Sequence, residues 1–434
     1  MSEFAIPDCW KVVELGEVSF VTKLAGFEYT DYFDYSIGGE IIAVRCLNIR
    51  NGRLCLDAVQ TIPRSVSNKL PRSKLQRGDL VISYVGTIGE VAAIPSNNRF
   101  HLAPNVARVV LEPEHVDSSF VVQQMLADDC QNRISLLTAS TTQAAISMTR
   151  LRTLKLITPP LPEQRKIARI LTTLDNLIEK TEALIAKYQS IKQGMMHDLF
   201  TRGVDAHGRL RPTHEQAPDL YKQLGRVRYP KCWQVCPLSD HADVSGGVTL
   251  GRKLDSKLTV ALPYLRVANV QDGYLDLTEM KNVEVLASEA HRYELKPNDV
   301  VMTEGGDFDK LGRGTIWEGQ ITPCLHQNHV FRVRATGDEL NPRFLAHLTA
   351  SFYGRHYFLM CAKQTTNLAS INATQVKAFP LLLPTREEQD AIVERADAID
   401  QQIRNEQSQV QKHQQTKSGL MQDLLTGKVR VNVE

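Results

Sequence analysis

The stretch PLPEQRKIARILTTLDNLIEKTEALIAKYQSIKQGMMHDLFTRGV, Pro160 to Val204, decides the fold because the chain contains it twice in altered form. Its opening, PLPEQRKIARILTTLD, answers TREEQDAIVERADAID from Thr385; its close, GMMHDLFTRGV from Gly194, answers GLMQDLLTGKV from Gly419. The offset is 225 throughout, without a gap. Repetition at a fixed offset is a stronger guide to architecture than local propensity. Ile167, Ile170, Leu174, Leu177, Thr181, Leu184, Tyr188, Ile191 and Met195 alternate at spacings of three and four, a heptad seam, and Leu171, Ile178, Ile185 and Leu199 widen it. The second copy carries Ile392, Ala396, Ile399, Ile403, Val410, Leu420 and Leu424. Its middle is polar, with Glu406, Gln409, His413 and Lys417 at or beside the expected seam, which predicts looser packing there.

Working outward, PDCWKVVEL from Pro7 returns as PKCWQVCPL from Pro230, an offset of 223. Arg45, Asn48, Gly52, Leu54 and Leu56 return as Arg266, Asn269, Gly273, Leu275 and Leu277, at 221. LQRGDLVI from Leu75 becomes LKPNDVVM from Leu295, Asn105 becomes Asn328, and Thr141-Thr142-Gln143 becomes Thr365-Thr366-Asn367. The chain is therefore a tandem duplication, each unit a globular part followed by a helical one. Period-2 apolar runs in the globular parts, as in EIIAVRCLNIRNGRLCL and GDLVISYVGTIGEVAAI, read as strands. Asn51-Gly52 and Asp272-Gly273 have the residue types of tight hairpin turns. Helices are expected near 119–136 and 343–360.

The fold class is α+β, with domains at 1–160 and 230–384, a central helix at 161–203, a linker at 204–229, and a C-terminal helix and tail at 385–434. Each helix lacks a partner next in sequence, so pairing the two as an antiparallel coiled coil is the simplest way to bury both stripes. About 40 residues at 1.5 Å rise makes a spacer of roughly 60 Å, with a module at either end. Packing of each helix on its own module, or across a homodimer, is the alternative.

Composition excludes several classes. The 434 residues are 42% hydrophobic and 23% charged, an ordinary globular balance. No run approaches the roughly 18 apolar residues of a membrane helix, and MSEFAIPDCWK has no apolar signal core, so a cytoplasmic location without membrane contact is expected. The eight cysteines form no CxxC pair and are expected to be reduced. Cys324, His326 and His329 lie close in sequence, but no second ligand pair stands near them, so no metal is expected.

Net charge is only +2, yet its distribution is uneven. Residues 1–44 hold two basic residues against eight acids; residues 45–77 hold eight against Asp57 alone, locally +7. That stretch contributes Arg45, Arg50, Arg53, Arg64, Lys69, Arg72 and Lys74 as candidate DNA contacts, with Tyr84 nearby. A solvated loop face is the competing reading. The second copy contributes Thr249, Arg252, Lys253, Lys257, Lys310 and Arg313, the last two in the glycine-rich GGDFDKLGRG from Gly305. Recurrence of Arg45, Asn48, Arg266 and Asn269 in both copies favours a structural or phosphate role over base reading. The sequence holds no GxxxxGK[ST], HExxH, GxSxG or strand-to-helix GxGxxG, and TPPL at 158–161 shares only its proline pair with the tetrapeptide of amino-methyltransferases.

Duplicated α+β modules, each followed by PLPEQ or TREEQ and a long helix, the second ending in GLMQDLLTGKVRV, resemble the specificity subunits of type I restriction-modification systems. GRLRPTHEQAPDLYKQLG from Gly208 is similar to the join between their halves, and SGGVT from Ser245 to the start of many of their recognition domains. The first module has only VTKLAG around Lys23 in place of SGGVT. The resemblance implies two target-recognition domains reading the halves of a bipartite, asymmetric target in double-stranded DNA. It implies a chain without catalysis, cofactor or metal of its own. Two modification subunits would bind it as an adenine-N6 methyltransferase using S-adenosylmethionine, and restriction subunits would add ATP- and Mg-dependent translocation and cleavage. Two other readings remain: a self-associating scaffold or DNA-binding regulator, and a self-contained methyltransferase, which lacks a recognisable cofactor site.

Overall fold

The computed structural model describes residues 6–26, 28, 35, 38–138, 144–251, 254, 258–306, 311–364 and 369–433. The chain forms two compact units, residues 1–183 with 407–434, and residues 184–406. Each holds one copy of the globular module.

In the first unit the period-2 runs form two four-stranded sheets. One is antiparallel, in the order Ser19–Lys23, Val106–Leu111, Leu80–Ser83, Val91–Ala93. The other runs Gln60–Ile62, Ile41–Val44, Phe100–Leu102, Lys74–Leu75, and its two central strands are parallel. Leu80, Ile82, Ala107 and Val109 face one core with Val121 and Met125; Val81 and Val106 face the other with Phe100 and Leu75. This is the alternation of a sheet covered on both faces. The hairpin turn falls at Asn51 and Gly52, both at positive φ, between strands Ile49–Arg50 and Arg53–Leu54.

The second unit repeats this plan. Its antiparallel sheet is ordered Ala242–Ser245, Val330–Ala335, Asp299–Thr303, Gly314–Trp317, and its mixed sheet joins Lys281–Leu286, Thr259–Leu265 and Leu325–His326. Each module is closed by its first strand pairing antiparallel with the strand before its long helix: Lys11 opposite Thr158 in one, Gln234 opposite Leu383 in the other.

The single helices expected at 119–136 and 343–360 are each broken in two. Helices Ser118–Leu126 and Asp128–Leu136 meet at Ala127, whose backbone is extended; Pro342–Ala350 and Phe352–Cys361 meet at Ser351, whose hydroxyl caps the Gly354 N–H. A Cβ on Gly354 would lie 2.3 Å from the Thr349 carbonyl oxygen, so this close turn requires glycine.

The two long helices are Leu161–Thr201 and Arg386–Leu424. Within the first unit the start of the central helix runs antiparallel to the end of the C-terminal helix. Glu163 pairs with Arg430 just beyond that end, Asp175 with Lys417 at 2.6 Å, and Ile167 and Leu171 pack with Leu424, Leu425 and Trp10. Within the second unit Lys192 pairs with Asp400 at 2.5 Å, while Leu199 and Phe200 share a core with Ile392 and Val393. Asp175 and Asp400, like Lys192 and Lys417, are repeat equivalents, so one polar pair serves both units. Two residues expected in the seam, Leu177 and Ile191, are exposed instead, and Gln409 also faces solvent. The part-buried positions beside them belong to Asp175, Lys192 and Lys417, which the ion pairs hold inward. The seam is therefore rotated relative to a purely apolar reading.

Candidate nucleic-acid interface

A rigid root supports each module. Gln164 and Gln389, the last residues of PLPEQ and TREEQ, are fully buried. Gln164 accepts from the Asp117 N–H and donates to the His115 and Pro159 carbonyls; Gln389 accepts from the Asn341 N–H and donates to the Glu339 and Pro384 carbonyls. One amide thus satisfies backbone groups from the start of the long helix and from the turn that caps an earlier helix of the module, Ser118–Leu126 or Pro342–Ala350, groups that would be costly to bury unpaired. A second device lies in the sheets at the aspartate shared by LQRGDLVI and LKPNDVVM: Asp79 accepts from Arg108 Nε at 2.7 Å and Asp299 from Arg334 Nε at 2.6 Å, although strand register makes Arg108 equivalent to Arg332 and Arg334 to Val110. None of these four residues was singled out by sequence reading. Recurrence of the aspartate in both copies was the signal that could have found Asp79 and Asp299; the arginines stand at different register positions and carry no such signal.

The basic segment 45–77 does not form one patch. Arg45 donates to the Ala58 carbonyl and Asn48 to those of Cys55 and Ala58, just as Arg266 and Asn269 clamp the Glu279 and Asp276 carbonyls. These pairs brace a hairpin in each copy, which gives Arg45 a structural partner within the module. Arg53 is also turned inward, to Glu179 and Asn176 on the central helix, because hairpin and helix pack side by side in the first unit. Arg64 pairs with Glu40 at 3.4 Å, Arg72 donates to the Thr22 hydroxyl, and Lys74 to Asn68. Arg50 and Lys69 are exposed, and among the described residues neither has an ion-pair or side-chain hydrogen-bond partner. Lys23 lies over the half-buried Tyr84 ring, 5.7 Å from its centroid, and burial pushes the Tyr84 hydroxyl pKa up, so it stays protonated.

In the second unit Arg252, Lys253, Lys257 and Lys310 fall outside the described residues. Thr249 is exposed at the end of SGGVT. That element lies backbone to backbone along 326–328: the Val248 N–H donates to the His326 carbonyl at 2.7 Å and the Asn328 N–H to the Val248 carbonyl at 3.0 Å. A Cβ on Gly247 would sit 1.8 Å from the His326 carbonyl oxygen, which is why a glycine stands there. The Arg313 carbonyl accepts from the Thr303 N–H, placing Arg313 at the same end of the antiparallel sheet. Thr249 and Arg313 are thus brought to one sheet end, together with Glu304 and His329, which sequence reading did not connect. His329 Nδ1 lies 2.5 Å from Glu304 Oε2.

The other residues considered for metal are accounted for separately. Cys324 is buried and its thiol is pushed up to about 12; buried His326 is held down to about 4, with Nδ1 at 2.7 Å from the Val330 carbonyl. Among the described residues no group of three His, Cys, Asp or Glu side chains is placed to hold a metal ion, and no helix is long and apolar enough to cross a membrane.

Two similar modules with one frame and different sheet ends define a paired recognition protein. The family comparison agrees: the type I restriction modification DNA specificity domain matches residues 7–188 and again 230–413. The chain belongs to this family and is a type I specificity subunit, a DNA-recognition chain with two such domains and no catalytic role. It is 22% identical over 417 residues to the EcoKI specificity subunit of Escherichia coli K12, covering 93% of this chain and 86% of that one. It is 27% identical over 283 residues to the MjaVIII specificity subunit of Methanocaldococcus jannaschii, covering 64% and 63%. A crystal structure of a type I S subunit from M. genitalium matches with a TM-score of 0.59 at 15% identity, covering 98% of this chain and 97% of that one, a likeness of fold.

Proposed function

We propose that this subunit reads a bipartite, asymmetric target in double-stranded DNA, one half-site per module, and recruits two adenine-N6 modification subunits and the restriction subunits to it. S-adenosylmethionine would bind the modification subunits, and ATP and Mg the restriction subunits. The observation that carries this reading is the contrast between a shared frame and unlike sheet ends: Tyr84 with Lys23 in one module, Glu304 with His329 in the other. A shared frame suits one kind of ligand, and unlike ends suit two different sequences of it. Arg50 and Lys69 are suited to phosphates, which fix register, and Tyr84, Thr249 and Arg313 are suited to base edges.

Long-read mapping of N6-methyladenine in the source cell, with and without this gene, tests the reading. Loss of methylation at one split motif is expected, with an unread spacer of roughly six to eight base pairs. An unchanged methylome, with the partner subunits expressed, would overturn it in favour of a scaffold or regulator. Deleting one turn, about 5.4 Å, from both long helices should shorten the preferred spacer by one or two base pairs. An unaltered spacer would separate helix length from target geometry.

A further inference from the structure

Superimposing the two modules by strand register pairs their sheet ends residue by residue. Val106 stands opposite Ser83 and Val330 opposite Thr303, so Tyr84 and Glu304 are equivalent, and Asn105 is equivalent to His329 rather than to its sequence match Asn328. Continuing along the neighbouring strands, Lys23 takes the place of Gly246. The backbone at the paired positions is bonded identically. The Tyr84 N–H donates to the Asn105 carbonyl at 3.0 Å, and the Tyr84 carbonyl accepts from Ile146 at 2.9 Å. The Glu304 N–H donates to the His329 carbonyl at 2.9 Å, and the Glu304 carbonyl accepts from Ile371 at 2.9 Å. With the main-chain groups already used, what distinguishes the two ends at this position is side-chain chemistry alone.

That chemistry is opposite in sign. The first module offers a phenol under an ammonium group. The second offers a carboxylate whose side chain is 30% exposed, bonded to a histidine that is 54% exposed. Among the described residues no Arg or Lys pairs with Glu304. An unneutralised carboxylate on a DNA-facing surface is repelled by phosphate, so it weakens sequence-independent binding. It gains only where it meets a donor, and on the major-groove edge the donor that a carboxylate reads is the cytosine N4 amino group. The bond to Glu304 calls for the proton on His329 Nδ1, which fixes the ring and aims the carboxylate.

We infer that Glu304 is a specificity-determining residue that reads a cytosine N4 amino group in the second half-site, with His329 as its positioning residue. This rests on the reading of the chain as a two-half-site DNA recogniser. The test uses the assembled modification complex with wild-type subunit, Glu304→Gln, Glu304→Ala, His329→Leu or His329→Asn. N6-methyladenine motifs are mapped, and binding is competed against duplexes changed at each base pair of the second half-site.

Wild type should prefer cytosine at one position, and both Glu304 variants should lose about tenfold of that preference, leaving the first half-site and spacer unaltered. His329→Leu should relax the same position, whereas His329→Asn, which keeps an N–H donor near the Nδ1 position, should restore most of the preference. A merely structural role would lower binding to all duplexes alike and would not be rescued in this base-selective way. An unchanged second half-site in both Glu304 variants, or uniform loss across every duplex, overturns the inference while leaving the split motif of the wild type intact. Absence of any split motif in the wild type overturns the underlying reading, and this inference with it.

Discussion

At the root of the C-terminal helix, Glu388 accepts from Arg211 Nη1 and Nη2 at 2.5 and 2.8 Å, from the Val204 N–H at 2.9 Å and from the Trp233 indole N–H at 3.0 Å. At the root of the central helix, among the described residues, its repeat equivalent Glu163 accepts from Arg430 only, and the indole N–H of Trp10, equivalent to Trp233, is buried without a partner. The side chain of Arg211 is 17% exposed and that of Arg430 is 47% exposed. The same motif is thus a closed, fully bonded knot in one unit and a half-open one in the other. In the second unit the knot is tied by the linker that follows the central helix; in the first it is tied by the chain's tail. Equivalent glutamates therefore do not carry equal energies, because the groups that complete their bonding arrive from different segments.

The largest effect should come from breaking the closed knot. Glu388→Ala leaves a nearly buried guanidinium, an indole N–H and a backbone N–H unpaired, and should cost on the order of 3–5 kcal/mol. Hydrogen exchange of the first turns of the C-terminal helix would read it. Glu163→Ala should cost clearly less, because Arg430 turns to water. Equal losses would erase the distinction between the two roots.

A second contrast concerns the buried histidines. His326 Nδ1 donates to a carbonyl while its buried Nε2 has no partner among the described residues, so the ring is neutral in the folded chain, and burial lowers its pKa to about 4. A lowered folded pKa means that the unfolded chain binds the proton first. Stability contributed by His326 is whole above about pH 6.5, falls by up to about 1.4 kcal/mol per pH unit below it, and levels off below about pH 4. His101 is shifted down by the same cause, burial. His326→Gln should flatten the acid limb of a stability-against-pH curve for the second unit; an unchanged slope would place the acid sensitivity elsewhere.

Gly247→Ala tests the sheet end rather than the root. The added methyl would press on the His326 carbonyl, and relieving it should cost about 2 kcal/mol and weaken second half-site recognition selectively. The first module needs no such glycine: Leu24 holds the equivalent position with its side chain buried in the core beside Ile42 and Phe100. Loss of both half-sites in Gly247→Ala would mean that the SGGVT packing is a property of the whole fold.

The duplication, the strands, the hairpin turns and the two long helices were legible because they depend on periodicity and turn chemistry, which are local or repeated. The assignment of roles to cations was much less so. Arg45, Arg50 and Arg53 look alike in a basic run, but a side chain's partner is set by what packs beside it. For Arg45 this is a carbonyl ten or more positions on, and for Arg53 a helix more than 120 positions on. Glu304 was invisible for the complementary reason: a lone acid ahead of a glycine-rich loop means nothing until strand register places it opposite His329. Comparing the two copies position by position, rather than scanning each for charge, is what separates frame from reader.

The smallest effect in stability is also the sharpest test of that separation. Arg45→Ala removes the donor to the Ala58 carbonyl and should cost about 1 kcal/mol while leaving the salt dependence of DNA binding unchanged. Lys69→Ala touches no protein partner among the described residues and should alter stability by less than about 0.5 kcal/mol. If Lys69 meets a phosphate, its loss lowers the slope of log affinity against log salt by about one unit and weakens every target sequence alike. The two variants therefore move opposite observables, one folding and one binding. A reduced salt slope for Arg45→Ala, or none for Lys69→Ala, would show that hydrogen-bond partners within the module do not sort the cations that brace it from those that hold DNA.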